Sequence, residues 1–204
     1  METFVRVTGP AAPFLAPNID TDVIMPKAFL KGINRKGLDV GVFNLLRFRD
    51  GQPDPDFVLN QPGCTHARFL VVGPNFGCGS SREHAVWGLF QLGIRALIGT
   101  SFAGIFDDNC RNNGVLTVTL DRDTIAHIAD VIGRPETNGM TIDLESERLT
   151  LDASGETIRF AIDPLRKAAL LQGLDAVGVT LGQAGEIRKF QTRHWEDHPW
   201  LSPN

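Results

Sequence analysis

The residues with the clearest chemical potential stand together between Asn75 and His84. The segment contains two glycines, a cysteine, two adjacent serines and an arginine, and reads Asn75-Phe76-Gly77-Cys78-Gly79-Ser80-Ser81-Arg82-Glu83-His84. An apolar run precedes it and a helical pattern follows it, which predicts a strand, a glycine-rich turn and the start of a helix. The N–H groups at a helix N-terminus attract anions, and an arginine fork suits a planar carboxylate. The segment therefore predicts a site for a small carboxylic acid.

Other interpretations of the same turn fit less well. The dinucleotide-binding fingerprint would need a glycine where Arg82 stands, and a P-loop would need Lys followed by Ser or Thr after its last glycine. A serine hydrolase would use Ser80 or Ser81 with His84 or His127 as the base, but neither serine has the Gly-x-Ser-x-Gly setting. Ser80 and Glu83 could also form a capping box that merely starts a helix. A capping box does not account for the second serine and the arginine in the same turn.

A second polar cluster, Asp20-Thr21-Asp22, lies in a loop bounded by Pro17 and Pro26. Its two carboxylates could act as an acid and a base, orient another group or bind a metal. Short polar clusters of this kind are equally common in ordinary turns. No histidine stands close by in the sequence to complete a metal site.

The three cysteines, Cys64, Cys78 and Cys110, do not form a recognisable ligand motif. An odd number of cysteines without an export signal argues against a disulfide framework. Their spacings are long and no C-x-x-C pair occurs, so the pattern is weak as an iron–sulfur motif. The pattern indicates free thiols, with Cys78 closest to the predicted site.

Length and composition indicate an ordinary globular protein. The chain has 204 residues, of which 42% are hydrophobic and 22% are charged. The net charge of −4 and the scattered basic residues give no reason to expect nucleic acid. No segment is typical of a signal peptide or of a membrane-spanning helix. The expected location is cytoplasmic, with no membrane association.

The central pattern predicts an α/β fold, because buried strands alternate with helices. The predicted strands are 69–72, 96–98 and 115–120, and the predicted helices are 83–92, 101–112, 124–132 and 164–172. Antiparallel strands are expected over 141–160, and a proline-rich loop is expected through Pro10, Pro13 and Pro17. Together these elements predict a β/β/α domain with a mixed sheet over residues 1–190, a helical C-terminal extension and a tail over 191–204.

Several blocks of the sequence, taken in order, resemble one enzyme family. The string 79–84 after Asn75-Phe76-Gly77 looks like the signature of the swivelling domain of the aconitase family, and 20–26 looks like an earlier active-site loop of that family. Further blocks at 44–49, 55–60, 101–114 and 173–181 resemble the family of 3-isopropylmalate dehydratase (isopropylmalate isomerase) small subunits. The resemblance extends over nearly the whole chain, to about Phe190.

The resemblance implies a hydro-lyase of leucine biosynthesis that converts 2-isopropylmalate to 3-isopropylmalate through isopropylmaleate. It implies a large-subunit partner that carries a [4Fe–4S] cluster, no cofactor or metal on this chain, and a small dicarboxylate substrate. By the same resemblance Ser80 is the catalytic base and Asp22 a catalytic carboxylate. Arg82, with Ser81 and Thr21, would bind the substrate.

The segment 29–32 resembles the loop that selects the substrate in this family. Leu30 would meet the isopropyl group, whereas Lys31 keeps a cation where relatives that bind an additional carboxylate carry arginine. Small subunits of the methylmalate/citraconate or homoaconitate type are therefore the alternatives within the family. Outside it, a serine hydrolase or a non-catalytic acid- or RNA-binding module are the alternatives, and both would work without a large subunit.

Overall fold

The computed structural model describes residues 1–30, 35–80 and 82–202. Its strands are β1 (Arg6–Phe14), β2 (Phe48–Arg49), β3 (Gln52–Pro53), β4 (Phe69–Val72), β5 (Ala96–Gly99), β6 (Leu116–Thr119), β7 (Gly139–Asp143), β8 (Arg148–Leu151) and β9 (Glu156–Arg159). Its α-helices are α1 (Thr21–Ile24), α2 (Asn44–Arg47), α3 (Glu83–Leu92), α4 (Gly104–Asn113), α5 (Arg122–Ile132), α6 (Pro164–Gln172), α7 (Ala176–Leu181) and α8 (Ala184–Asp197). Short 3-10 helices cover Lys27–Leu30, Asp39–Gly41, Val58–Asn60 and Pro199–Leu201.

A seven-stranded mixed sheet forms the centre, with the strand order β6-β5-β4-β1-β7-β8-β9. β1, β4, β5 and β6 pair in parallel, whereas β7, β8 and β9 continue the sheet with antiparallel pairs. This mixed α/β architecture confirms the fold class expected from the sequence. The predicted boundary between residues 190 and 191 falls inside α8.

Two hydrophobic clusters cover the two faces of the sheet. All four residues of β4 are fully buried; Leu70 and Val72 belong to one cluster, and Phe69 and Val71 belong to the other. The first cluster includes the apolar faces of α3 and α4, and the second includes those of α5 and α6. A continuous apolar strand is expected where helices pack on both sides of it.

The prediction of a proline-rich loop through Pro10 and Pro13 was wrong, because both residues lie inside β1. β7 pairs with β1 as far as Pro10, and β4 pairs with it from Ala11 onward. Each proline therefore has a neighbouring strand on one side only, so the ladder can do without its N–H. The carbonyl of Pro10 still accepts a hydrogen bond from the N–H of Arg68 at 2.7 Å.

The helix predicted from Ser101 begins three residues later, at Gly104. The Ser101 hydroxyl accepts a hydrogen bond from the backbone N–H of Asn75 at 2.9 Å, so it is not available to cap the helix. Phe102 forms an isolated parallel bridge with Phe76, which keeps the chain extended at this point. Helix α3 and its glycine cap at Gly93 lie where the sequence predicts them.

None of the helices in the described part of the chain combines the length and the apolar character needed to cross a bilayer.

Candidate active site

Three loops meet at one edge of the sheet. β1, β4 and β5 are parallel neighbours, so the loops that follow Phe14, Val72 and Gly99 leave from the same side. The carboxyl ends of parallel strands form the usual place for a binding site in such sheets. The first loop carries the acidic cluster 20–22 and the second carries the glycine-rich turn 75–82.

Backbone hydrogen bonds hold the first loop directly against the second. The N–H of Asn18 donates to the carbonyl of Pro74 at 2.9 Å. The N–H of Gly77 donates to Ile19 at 2.8 Å, and the N–H of Thr21 donates to Cys78 at 2.9 Å. The two polar segments that the sequence singled out separately therefore form a single site.

The third loop supports the glycine-rich turn from the other side. The N–H of Phe76 donates to the carbonyl of Ser101 at 3.3 Å, and the N–H of Ala103 donates to the carbonyl of Phe76 at 3.0 Å. The rings of Phe76 and Phe106 meet edge to face with centroids 5.6 Å apart. The first turn of α4 thus forms the base on which the glycine-rich turn lies.

Both glycines of the turn are required by their surroundings. Gly77 has φ +78°, and a Cβ at this position would lie 2.1 Å from a ring carbon of Phe106. Gly79 has φ +87°, and a Cβ there would lie 3.3 Å from the Cβ of Asp20. A side chain would be strained at either position, so the glycines allow the two loops to approach each other.

Thr21 ties the acidic loop to Ser80. Its side chain is only 2% exposed, and its hydroxyl donates a hydrogen bond to the carbonyl of Ser80 at 2.5 Å. Asp20 caps α1, because its carboxylate accepts the N–H of Val23 at 2.8 Å. The Ser80 residue itself is exposed at the sheet edge.

Asp22 lies between two cations. Its Oδ1 is 2.8 Å from Nε of Arg82, and its Oδ2 is 3.6 Å from Nζ of Lys27. The close pair lacks the alignment of a hydrogen bond, since Asp22 Oδ1 and Arg82 Nε are both buried atoms without a hydrogen-bond partner among the described residues. It is therefore best described as an ion pair. Arg82 and Lys27 thus place two cations close to the turn that carries Ser80.

The N-terminus of α3 adds to this positive potential. Arg82 is the N-cap residue, and its side chain makes no capping hydrogen bond. The capping-box alternative does not hold, because Glu83 is the first helical residue and its carboxylate accepts a hydrogen bond from Asn113 Nδ2 at 2.9 Å. The Oδ1 of the same asparagine accepts from Trp87 Nε1 at 2.8 Å. A helix N-terminus without a side-chain cap favours an anionic ligand.

Gln91 on α3 holds the chain just after the predicted selector segment. Its amide nitrogen donates to the carbonyl of Arg35, and its Oε1 accepts the N–H of Leu38 at 2.9 Å. The Arg35 guanidinium lies 4.1 Å from the centre of the Trp87 ring. These contacts, like that of Lys27, depend on loop conformation and leave no periodic signal in the sequence that could have predicted them.

The predicted site residues have different outcomes. The structure brings Ser80, Arg82, Asp22 and Thr21 together at one edge. Leu30 is half-buried at the end of a 3-10 helix and packs against the hydrophobic cluster that contains Ile24 and Met25. Ser81 and Lys31 lie outside the described residues, so their predicted roles stay predictions.

The described cysteines do not fit an iron–sulfur cluster. Cys64 is buried beside Asn138, whose Nδ2 lies 3.8 Å from Sγ, and Cys110 is fully buried on α4. Burial raises the pKa of both thiols, most strongly that of Cys110, whereas metal ligation needs the thiolate. Over residues 1–30, 35–80 and 82–202, no three His, Cys, Asp or Glu side chains are grouped as a metal site.

A mixed sheet with an anion-attracting turn at its parallel edge defines an α/β domain suited to small carboxylic acids. The aconitase C-terminal domain model matches residues 1–123, and a model of the C-terminal domain of the 3-isopropylmalate dehydratase small subunit matches residues 177–204. The chain belongs to the family of 3-isopropylmalate dehydratase small subunits, within the aconitase type of swivelling domain. It is thus a member of a hydro-lyase enzyme family.

Individual relatives are similar over almost their entire length. The chain is 57% identical over 202 residues to 3-isopropylmalate dehydratase small subunit 1 of Mannheimia succiniciproducens, covering 98% of this chain and 99% of the relative. It is 56% identical over 202 residues to 3-isopropylmalate dehydratase small subunit 2 of Salmonella typhimurium, covering 98% of this chain and 96% of the relative. A crystal structure of 3-isopropylmalate dehydratase from Methanocaldococcus jannaschii matches with a TM-score of 0.68 at 26% identity. The match covers 91% of this chain and 99% of the chain in that structure.

Proposed function

We propose that this chain is the small subunit of a two-subunit hydro-lyase of leucine biosynthesis. The reaction would convert 2-isopropylmalate to 3-isopropylmalate by removing and re-adding water through isopropylmaleate. The names of its close relatives support this reaction. The observation that carries the proposal is the grouping of Ser80 with the Asp22–Arg82 ion pair at one exposed sheet edge. Such a group can bind and deprotonate a hydroxy acid.

Arg82 is proposed to bind a substrate carboxylate. The Arg82 and Lys27 cations and the N-terminal end of α3 both favour an anion at this position. Asp22 contacts the Nε side of the guanidinium and would thereby fix the orientation of the fork. Ser81, whose role rests on the family resemblance alone, would add a hydroxyl contact.

Ser80 is proposed to take the proton from the substrate carbon. A serine hydroxyl is a weak base in water, so its alkoxide needs nearby positive charge and N–H donors that are already in position. Arg82, Lys27 and the start of α3 supply positive potential on this side of the turn. Thr21 would act by positioning, because its buried hydroxyl is already bonded to the carbonyl of Ser80.

The other half of the chemistry is assigned to the large subunit. By the family resemblance the [4Fe–4S] cluster is assigned to that subunit, and the residues of this chain are assigned binding and proton transfer. The exposure of Ser80 is consistent with a partner that covers the site and excludes water during turnover. Leu30 is proposed to meet the isopropyl group of the substrate.

The test is isomerase activity on 2-isopropylmalate with the chain alone, the reconstituted large subunit alone, and the two mixed. Activity is expected only in the mixture. Ser80→Ala should lower kcat by about 10²- to 10⁴-fold, the usual effect of losing a general base, while the complex still assembles. Ser154→Ala, which changes an exposed serine in the remote β8–β9 turn, is the matched control.

Two results would contradict the proposal. A near-normal kcat for the assembled Ser80→Ala variant would remove Ser80 as the base. A mixture that is inactive on 2-isopropylmalate although the large subunit is intact would exclude this substrate, and methylmalate and homoaconitate would then be tested.

A further inference from the structure

The C-terminal helices bury none of their residues against the rest of the chain. No residue of α7, α8 or the 3-10 helix Pro199–Leu201 is buried. Large apolar side chains in and beside these helices are instead exposed by 38–82%: Leu165, Val177, Val179, Leu181, Ile187, Phe190, Trp200 and Leu201. Single exposed apolar residues are ordinary, but a contiguous set in one segment marks an interaction surface.

Four aromatic rings form a continuous stripe along this segment. Phe190 and His194 stack with centroids 5.4 Å apart and an interplanar angle of 12°. His194 and His198 follow at 4.7 Å, and His198 and Trp200 follow at 5.4 Å. The i, i+4 spacing keeps the first three rings on one side of the helix. Large aromatic side chains of this kind are typical anchors at the centre of protein interfaces.

A cavity of about 760 Å³ opens beside the same helices. Its walls come from the end of α4, from α6 and from α7, and they include the exposed residues Leu165 and Val179. We define the C-terminal surface as residues 176–201 with Leu165. It combines the stripe of aromatic rings with an apolar recess.

The length of this segment matches what an interface requires. A helix of 14 residues such as α8 is marginal in water unless something packs against it. Residues 176–201 are about as many as one partner contributes to an interface of standard size, roughly 20–30 residues. The segment therefore has the extent of a docking surface.

The family matches indicate which partner covers it. The aconitase-wide model matches residues 1–123, whereas residues 177–204 match a separate model described for the dehydratase small subunit. The unburied segment is thus a feature of chains named as small subunits. Such a chain must hold its large subunit by non-covalent contacts.

We propose that the C-terminal surface is the docking surface for the large subunit, with Phe190 and Trp200 as its anchors. The inference rests on the proposed function, because the partner is the large subunit of the same enzyme. The partner would present an apolar groove that receives the aromatic side of α8, which is the usual way in which an amphipathic helix is bound.

The test is the affinity of the full-length chain for the reconstituted large subunit, measured by biolayer interferometry. The double variant Phe190→Ala/Trp200→Ala should raise Kd by at least about 30-fold, the effect expected when interface anchors are truncated. Ser154→Ala is the control, because Ser154 is exposed and lies in the β8–β9 turn, outside the C-terminal surface. Urea unfolding of each lone chain should give equal midpoints, since neither position is buried.

Activity measurements distinguish a docking defect from a defect in the chemistry. At limiting large subunit the double variant should lose activity, and at saturating large subunit its kcat should return to the wild-type value. An unchanged Kd in a complex that is active with the wild-type chain would overturn the docking proposal and leave the proposed function intact. Failure of the wild-type chain to bind or activate the large subunit would overturn both.

A second copy of this chain is the competing occupant of the surface. Sedimentation of the lone chain distinguishes the two partners. The competing result would be a dimeric wild-type chain and a monomeric double variant, with the same Kd for the large subunit. In that case the surface joins two copies of the chain and the docking proposal is wrong.

Discussion

Replacing Thr21 with valine would test how the acidic loop controls the position of Ser80. Valine keeps the shape of the side chain but has no hydroxyl to donate to the carbonyl of Ser80. A hydrogen bond of this kind contributes about 0.5–1.5 kcal/mol net, and more when a buried partner is left unsatisfied. Because Ser80 is exposed, water can replace the lost donor. We therefore expect the free energy of unfolding to fall by about 1 kcal/mol.

The effect on activity should be larger than the effect on stability. The bond joins residues that are 59 positions apart in the sequence, and it fixes the turn that carries the proposed base. A displacement of about 1 Å at a reacting group can lower the rate by about 10²-fold. We expect Thr21→Val to lower kcat by roughly this factor in the assembled enzyme. Thr21→Ser retains the hydroxyl, loses only a methyl group, and should keep most of kcat.

Two measurements decide the outcome. Urea unfolding of the lone chain gives the change in stability, and steady-state kinetics with saturating large subunit give kcat. A Thr21→Val variant that loses about 1 kcal/mol but keeps its kcat would refute the positioning role. Equal losses of kcat in the valine and serine variants would show that the hydrogen bond from the hydroxyl does not explain the effect.

Two further predictions follow from the ion pair and from the buried thiols. Arg82→Lys should raise KM by roughly 10- to 100-fold, because a point charge cannot replace a bidentate contact with the substrate carboxylate. The measurement is steady-state kinetics with excess large subunit. An unchanged KM would mean that Arg82 only pairs with Asp22. Burial in the folded chain raises the pKa of Cys110 and of Cys64. In the unfolded chain a cysteine thiol has a pKa of about 8.5. The stability that these protonated thiols contribute is therefore complete below that pH and is lost as the pH rises above it. The urea midpoint of the wild-type chain should fall between about pH 8 and about pH 10, and it should fall less in Cys110→Ala. Equal falls in the variant and the wild type would show that the Cys110 thiol does not cause this pH dependence.

The sequence predicted those elements whose signals are local. The run 69–72 was predicted as a strand and 83–92 as a helix ending at Gly93, and both agree with the structure. Unbroken apolar strands, helical periodicity and a glycine C-cap depend on neighbouring residues, so they can be predicted without knowledge of the fold. The order of the sequence blocks was equally sufficient to identify the family.

Elements that depend on distant partners were predicted less well. Pro10 and Pro13 signal a loop in isolation, yet they lie in β1 because neighbouring strands pair on only one side of each. Ser101 has the character of a helix cap, but its hydroxyl is bonded to the N–H of Asn75. In both cases a tertiary hydrogen-bonding pattern overrides a local propensity.

The residues of the site can be named from the sequence: a glycine turn with serines and an arginine, and a separate acidic loop. Their union in one site comes from the fold, because parallel pairing of β1 and β4 brings the carboxyl ends of both strands to the same edge. The fold also decides that Asp22 lies 2.8 Å from Arg82 and that Thr21 is bonded to Ser80. Contacts between residues that are far apart in the chain depend on strand order and register, which local sequence patterns do not encode.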